Sequence, residues 1–192
     1  ISSEKTISVI KRAKEEGKVF STGVSINNLS LNENDIGDFK TFLKLSPPLR
    51  SEQDRLSLIN AIGERLIEVI VSDHKPEDEE SKRLTFAKAA TGATGIETLL
   101  PLALELFHND SLKLNAIIAS ITSNPAKILG INKGSLQIGS DADLCVVDIN
   151  KPWIVNKSDL LSKSKNTPIE DRKLRGQIIK TFIKGEIAFV RA

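Results

Sequence analysis

The order of predicted elements constrains the fold of this chain more than any other feature. Up to about residue 130, segments rich in β-branched residues alternate with segments whose apolar residues recur at helical spacing. Beyond that point, short strand-like segments are separated by turns. The first pattern predicts parallel βα units and the second predicts a β domain. We therefore predict an α/β part over residues 1–130 and a β part over residues 131–192.

The spacing of apolar residues and turn residues places the individual elements. In the first part we predict strands over 18–24, 41–45 and 67–72. We predict helices from Ser2 or Ser3 to about Glu16 and over 52–66, 97–107 and 112–121. A last helix is predicted to be capped by Asn124, with Pro125 in its first position. In the second part we predict strands within 134–149, 151–155, 176–185 and 186–190, with KGE at 184–186 as a hairpin connection.

Composition removes several classes of protein. The net charge is +2, and the 27 basic and 25 acidic residues are interleaved, so no basic block favours nucleic acid as a partner. No apolar run is long enough to predict a membrane span, and the N-terminus shows no signal-peptide pattern. Cys145 is the single cysteine and lies in the apolar run ADLCVVDI, which predicts a buried, inert thiol and a reducing, cytoplasmic location.

Asp73 and His74 are the strongest candidates for chemistry because they follow the predicted strand 67–72 directly. In parallel βα barrels, functional groups lie at the carboxyl ends of the strands. A carboxylate there can bind a metal, orient a water or accept its proton. The alternative is structural, with Asp73 capping the following turn and His74 packing beneath a loop.

The remaining candidates are weaker. Gly92 and Gly95 allow a close approach of the backbone to a ligand, or simply belong to a flexible loop. Arg50, in SPPLR, is suited to bind a substrate carboxylate or to bridge surface acids. The chain has two histidines, and the position of His108 at the end of a predicted helix is explained by the helix dipole. Two distant histidines cannot supply a binuclear zinc site.

Several segments, in order along nearly the whole chain, resemble the dihydroorotase family. Residues 73–104, from DHKPEDEE to GIETLLPLAL, are similar to the family pattern DHAPH…K…F…AP.G..GLET.LPL. FLKLSPPLR (42–50) resembles LKMNPPLR, and NTPI (166–169) resembles NTPF. NPAKILGI (124–131) and GSLQIGSDADLCVVD (134–148) resemble the end of the barrel and the strands that follow it.

The resemblance implies a metal-dependent hydrolase of the amidohydrolase superfamily that interconverts carbamoyl-aspartate and dihydroorotate in pyrimidine biosynthesis, with zinc as its cofactor. The implied fold is the C-terminal half of a distorted TIM-type βα barrel, with strands six to eight, followed by the C-terminal strands of a β-sandwich. The chain would begin just after strand five, so the N-terminal HxH motif and the bridging ligand would lie outside it. We expect such a piece to be ordered only against the other half or in an oligomer, because open strand edges need cover.

The resemblance also assigns roles to individual residues. Asp73 keeps the family position of the metal-site carboxylate and proton shuttle. The family's substrate-binding positions fall on Ser46, Glu77, Ala90 and Gly92. Two of these are altered, because the family has Asn at the position of Ser46 and His at that of Glu77.

Further departures weaken the match at the site itself. The family's TPHHL, which carries a metal-binding His, reads SINNL with Asn27 and Asn28, and Asn is a poor substitute for a zinc-binding imidazole. The acid at Glu77 is expected to repel an anionic substrate. The Ala-Pro-x-Gly loop lacks its proline, so only the backbone contacts of Ala90 and Gly92 can carry over.

Three hypotheses follow. The first is an active dihydroorotase, with a small-molecule substrate, whose other ligands lie outside this chain. The second is a homologue without catalysis that acts as a structural partner of aspartate transcarbamoylase in an oligomer. The third is another cyclic-amide hydrolase of the same superfamily, which the NTP and SPPLR stretches oppose.

Overall fold

The computed structural model describes residues 1–191, which form seven α-helices and five strands. The helices are α1 (Glu4–Glu15), α2 (Ile26–Ser30), α3 (Glu52–Gly63), α4 (Glu79–Arg83), α5 (Leu99–His108), α6 (Leu114–Ile121) and α7 (Ser123–Leu129). The strands are β1 (Gly23–Ser25), β2 (Val69–Val71), β3 (Leu144–Ile154), β4 (Lys173–Ile183) and β5 (Glu186–Val190). Short 3-10 helices span Glu33–Ile36, Thr41–Leu43 and Lys157–Asp159. Over the described residues, none of the helices is long and apolar enough to cross a membrane.

Two parallel strands organise the first part of the chain. β1 pairs directly with β2, with Gly23 opposite Val69 and Ser25 opposite Val71. Between them, α3 begins where Ser51 accepts a hydrogen bond from the backbone N–H of Asp54. Parallel strands linked through a helix confirm the predicted βα pattern.

The predicted strand over 41–45 is wrong, because this segment begins with the 3-10 helix Thr41–Leu43. Its backbone carbonyls bond to a side chain instead of a neighbouring strand: the Lys82 ammonium donates to the Thr41 oxygen at 3.1 Å and to the Lys44 oxygen at 3.5 Å. The Thr41 hydroxyl donates in return to the Lys82 carbonyl at 2.6 Å. These bonds occupy the groups that a ladder would need.

The predicted strand over 18–24 is shorter than expected, because only Gly23 and Val24 of it lie in β1. Val19 is fully exposed and Phe20 is 37% exposed, so this stretch gains little from burial in the described chain. The Thr22 carbonyl accepts from the backbone N–H groups of Glu68 and Val69, both at 3.2 Å, just before the paired region.

Two details of the predicted helices also change. The helical spacing of Leu56 with Ile59 predicts one buried face for α3, but Leu56 is 44% exposed, whereas Leu58 and Ile59 are buried. Asn124 lies inside α7 and not at its N-cap, and its Nδ2 atom donates to the Glu68 carbonyl at 2.8 Å. This long-range bond replaces the local capping bond that the sequence suggested.

The β part is an antiparallel sheet with the order β3–β4–β5. Lys184 and Gly185 connect β4 to β5 with φ angles of +51° and +85°, so the predicted hairpin is confirmed. Residues 134–143, predicted to begin a strand, lie before β3 in irregular structure. Cys145, predicted to be buried, is exposed, because the outer face of β3 is uncovered in this chain.

One apolar core connects the two parts of the chain. It contains Ile70 of β2 and Leu102 of α5, and it continues to Val155 and Leu174 at the ends of β3 and β4. Burying a side chain of this size stabilises a fold by about 1.5–3 kcal/mol. Gly176 lets β4 approach α5, because a Cβ there would lie 2.4 Å from a methyl group of Leu104. A domain boundary near residue 130 stays a prediction.

Candidate functional site

Asp73 lies two residues beyond the carboxyl end of β2. Its φ angle is +50° and its side chain is half-buried. Non-glycine residues rarely adopt this left-handed conformation, and Asp tolerates it better than most. The turn therefore redirects the chain directly at the end of the strand, where βα folds place their functional groups.

His74 is held beneath the loop that follows. Its Nδ1 atom accepts hydrogen bonds from the backbone N–H of Gly95 at 3.1 Å and of Ile96 at 3.4 Å. With Nδ1 as the acceptor, the ring proton is on Nε2. His74 also forms an isolated parallel bridge with Ala93. This geometry matches the structural alternative for His74.

Gly92 and Gly95 bring the loop close to the end of β2. A Cβ on Gly95 would lie 2.3 Å from the Ser72 carbonyl oxygen, and one on Gly92 would lie 2.5 Å from that of Lys75. The φ angle of Gly92 is +145°, which only glycine adopts without strain. Both positions therefore need glycine so that the loop can pack against residues 72–75.

The stretches that carry Ser46, Ala90 and Gly92 are connected through their backbones. The Gly92 N–H donates to the Lys44 carbonyl at 3.0 Å, two residues before the exposed Ser46. The Ala90 carbonyl accepts from the Lys82 ammonium at 2.8 Å. The structure thus brings three of the four predicted substrate positions into one connected group of loops.

Lys82 is the centre of this group. Its side chain is 2% exposed and its ammonium donates to the carbonyls of Thr41, Lys44 and Ala90. Burial lowers the pKa of Lys82 to about 8, although the Glu77 carboxylate opposes the shift. Lys82 was not singled out from the sequence. It could have been found from the lysine in the family pattern that begins at Asp73.

Glu77, the fourth predicted substrate position, forms an ion pair. Its carboxylate lies 3.4 Å from the Lys75 ammonium, and its side chain is 20% exposed. Its backbone N–H donates to Oδ1 of Asn166 at 3.2 Å. A nearby cation reduces the repulsion that this acid would exert on an anionic substrate.

Asn27 and Asn28 are both buried on α2, immediately after β1. Nδ2 of Asn28 donates to the Pro48 carbonyl at 3.0 Å. Within the described chain, Oδ1 of Asn28 and Nδ2 of Asn27 have no hydrogen-bond partner. Unsatisfied buried amide groups are unfavourable, so neither Asn side chain is fully accommodated by the described residues alone.

The donors described here do not by themselves fit a zinc site. Across residues 1–191, no cluster of three or more His, Cys, Asp or Glu side chains could hold a metal ion. Asp73 is the one ligand that the resemblance assigns to this chain, and Asn27 and Asn28 offer amide groups where zinc prefers imidazole.

Arg50 and His108 lie outside this group. Arg50 is exposed and, within residues 1–191, forms no ion pair, so the bridging alternative is not seen. His108 occupies the last turn of α5, and its Nε2 atom lies 2.9 Å from the Ile149 carbonyl oxygen. That contact and the helix dipole give His108 a structural role.

A cavity of about 760 Å³ lies by the opposite end of β2. Its lining includes Glu68, Lys113 and Asn124 but not Asp73. Because the carboxyl ends of the strands position the chemistry of βα folds, we do not assign this cavity to the candidate site.

The family model described as "Amidohydrolase family" matches residues 4–188. This chain therefore belongs to the amidohydrolase family. Among curated proteins, it is similar to dihydroorotases of Ehrlichia canis (strain Jake), at 36% identity, and Aquifex aeolicus (strain VF5), at 35% identity. Each match covers 98% of this chain, but only 42% and 44% of the two relatives. The chain thus spans less than half the length of the curated relatives it matches.

Solved structures agree with the fold. L-hydantoinase (dihydropyrimidinase) from Arthrobacter aurescens matches with a TM-score of 0.92 and 28% identity, over 100% of this chain and 45% of that one. Dihydropyrimidinase from Brevibacillus agri NCHU1002 matches with a TM-score of 0.90 and 23% identity, over 97% of this chain and 43% of that one, which shows a common fold only. The predicted fold class, part of a TIM-type amidohydrolase, is confirmed.

Proposed function

We propose that the full-length protein is a dihydroorotase-like cyclic amidohydrolase that interconverts carbamoyl-aspartate and dihydroorotate. The observation that carries this proposal is Asp73, which follows β2 on a left-handed turn with the Gly92–Gly95 loop packed against the same strand end. The names of the relatives, dihydroorotase, support the substrate. The activity is assigned to the full-length protein because this chain spans only part of those relatives.

We assign to Asp73 the movement of the proton. In the hydrolytic direction, water adds to a ring carbonyl carbon, the C–N bond breaks, and the ring nitrogen gains a proton. The Asp73 carboxylate accepts the proton of the attacking water and donates it to the leaving nitrogen. A carboxylate in this role contributes about 10²–10⁴-fold to the rate.

The loops around Asp73 supply the substrate contacts. Ala90 and Gly92 offer backbone groups, and Ser46 offers an exposed hydroxyl where the family has an amide. Glu77, balanced by Lys75, sits where the family has His. The resemblance makes zinc the cofactor, and bound zinc would activate the water. The donors described in this chain do not by themselves fit that ion.

A second candidate is a homologue without catalysis that serves as a structural partner of aspartate transcarbamoylase. The observation that favours it is the pair of buried amides at Asn27 and Asn28, where the family has His. In either case we place the protein in the cytoplasm as part of an oligomer. The exposed thiol of Cys145 suits a reducing compartment.

Metal content separates the two candidates. The full-length protein would be purified without chelator and its zinc measured by elemental analysis, beside Asp73→Asn and the control Asp38→Asn, whose carboxylate is exposed and remote in sequence. The enzyme proposal expects bound zinc that Asp73→Asn weakens and Asp38→Asn leaves unchanged. Wild-type protein without metal, but bound to aspartate transcarbamoylase, would favour the second candidate.

A further inference from the structure

We propose that Asn166, in the β part of the chain, is a positioning residue for the reaction at Asp73. It holds two of the substrate loops in a fixed relation to each other. This inference rests on the proposed function, because positioning has a meaning only for a site that binds a substrate.

Asn166 lies far from both loops along the chain but is in direct contact with them. Its Oδ1 atom accepts from the backbone N–H of Glu77 at 3.2 Å, across 89 residues. Its Nδ2 atom donates to the carbonyl of Gly92 at 3.1 Å, across 74 residues. The residue is only 3% exposed, so water cannot readily replace these bonds.

The side chain at this position must donate and accept at the same time. A backbone N–H can only donate and a carbonyl can only accept, so the two partners fix the orientation of the amide. Aspartate at position 166 would keep the acceptor for Glu77 but would turn a second oxygen toward the carbonyl of Gly92. Alanine would leave both backbone groups without a partner.

The segment that carries Asn166 is itself anchored. The Glu97 carboxylate accepts from the backbone N–H of Leu161 at 2.9 Å and of Ser162 at 3.1 Å. The Asn166 carbonyl also accepts from the Thr94 N–H at 3.2 Å. Because these bonds already hold the segment in place, the side chain of Asn166 is not needed for that purpose. It can instead fix the positions of the two loops.

The test compares Asn166→Ala with Asn124→Ala in the full-length protein. Asn124 is a matched control, because its side chain also donates to a distant backbone carbonyl, that of Glu68, but before the start of β2. Hydrogen–deuterium exchange of the Glu77 and Thr94 amides and the KM and kcat for dihydroorotate would be measured for both variants and the wild type.

We expect Asn166→Ala to expose the Glu77 amide to exchange while Thr94, which bonds to the backbone of residue 166, stays protected. We expect KM to rise about tenfold with a smaller change in kcat, since misplaced contacts weaken binding more than they affect Asp73. Asn124→Ala should change neither. If Asn166→Ala fails to fold, Asn166→Asp is expected to protect Glu77 and still raise KM.

Two results would overturn the proposal. If the Glu77 amide of Asn166→Ala exchanges as slowly as in the wild type and KM is unchanged, the side chain of Asn166 positions neither loop. If Asn166→Ala loses protection at Glu77 and Thr94 together, the side chain only holds its own segment in place. Failure of the proposed function is recognised separately. In that case the wild-type protein would not turn over dihydroorotate, regardless of how fast the Glu77 amide exchanges.

Discussion

Asn28 donates from Nδ2 to the carbonyl oxygen of Pro48 at 3.0 Å. Because a carbonyl can only accept, this bond fixes the amide and turns Oδ1 toward a buried position without a partner in the described chain. Pro48 belongs to the SPPLR stretch that carries Ser46, so one of the two Asn residues that stand where the family has a metal-binding His also braces a predicted substrate loop.

The Asn28–Pro48 bond gives the first prediction. Asn28→Ala removes the donor and leaves the Pro48 carbonyl without its partner, so we expect the free energy of unfolding to fall by about 1 kcal/mol. Urea denaturation of the full-length protein measures this change. Asn34→Ala, at an exposed position, serves as the control. An equal loss in both variants would mean that the bond to Pro48 contributes nothing of its own.

The buried ammonium of Lys82 predicts a pH dependence of stability. Burial lowers its pKa to about 8 in the folded protein, below the value of about 10.4 in an unfolded chain. Below pH 8 both states carry the charge, and the penalty of burying it is present in full. Above about pH 10.4 both states are neutral and the penalty is gone, so stability should rise by about 3 kcal/mol between these limits.

Lys82→Met tests that dependence. The variant has no titrating group at this position, so the rise in unfolding free energy between pH 8 and about pH 10.4 should be absent from its urea denaturation curves. The same slope in Lys82→Met and the wild type would show that other groups cause it.

The close approach of Gly95 to β2 predicts a strong effect of a single methyl group. Gly95→Ala places a Cβ 2.3 Å from the Ser72 carbonyl oxygen, and we expect a loss of about 1–3 kcal/mol from the displaced backbone. Gly23→Ala is the control, because its Cβ would have an ordinary contact at 3.6 Å. Thermal unfolding would show the difference, and equal melting temperatures would contradict the packing described for this loop.

The ion pair between Arg172 and Glu105 joins the β part to α5 at 2.8 Å. Burial raises the pKa of Glu105, and the Arg172 guanidinium opposes the shift. Arg172→Met would leave a partly buried carboxylate without its partner and should cost about 2 kcal/mol. Arg83→Met removes exposed pairs with Glu79 and Glu80 and should cost less than about 1 kcal/mol. Denaturation curves with equal losses would reject this difference.

Local sequence patterns predicted much of the fold. The spacing of apolar residues over 52–66 predicted α3, and the lysine–glycine turn predicted the β4–β5 hairpin. The position of Asp73 after a β-branched run was also readable, because strands and their ends leave a local pattern. These features depend on residues close together in the chain.

Contacts between distant residues were not readable in the same way. The segment at 41–45 has strand-like residues, but the Lys82 ammonium takes the carbonyls that a strand would use. The bond from Asn166 to the Glu77 N–H spans 89 residues, and no periodicity reports it. Cys145 has apolar neighbours in the sequence, yet the outer face of β3 is uncovered. At each of these places, tertiary contacts and not local sequence preferences determine the structure.

The most direct test of the proposed function is the turnover of dihydroorotate by the full-length wild-type protein, followed as ring opening to carbamoyl-aspartate. We predict measurable turnover that falls by about 10²–10⁴-fold in Asp73→Asn, because the proton then has no carboxylate to receive it. A folded wild-type protein that opens no dihydroorotate would contradict the proposal and leave the structural partner of aspartate transcarbamoylase as the function to pursue.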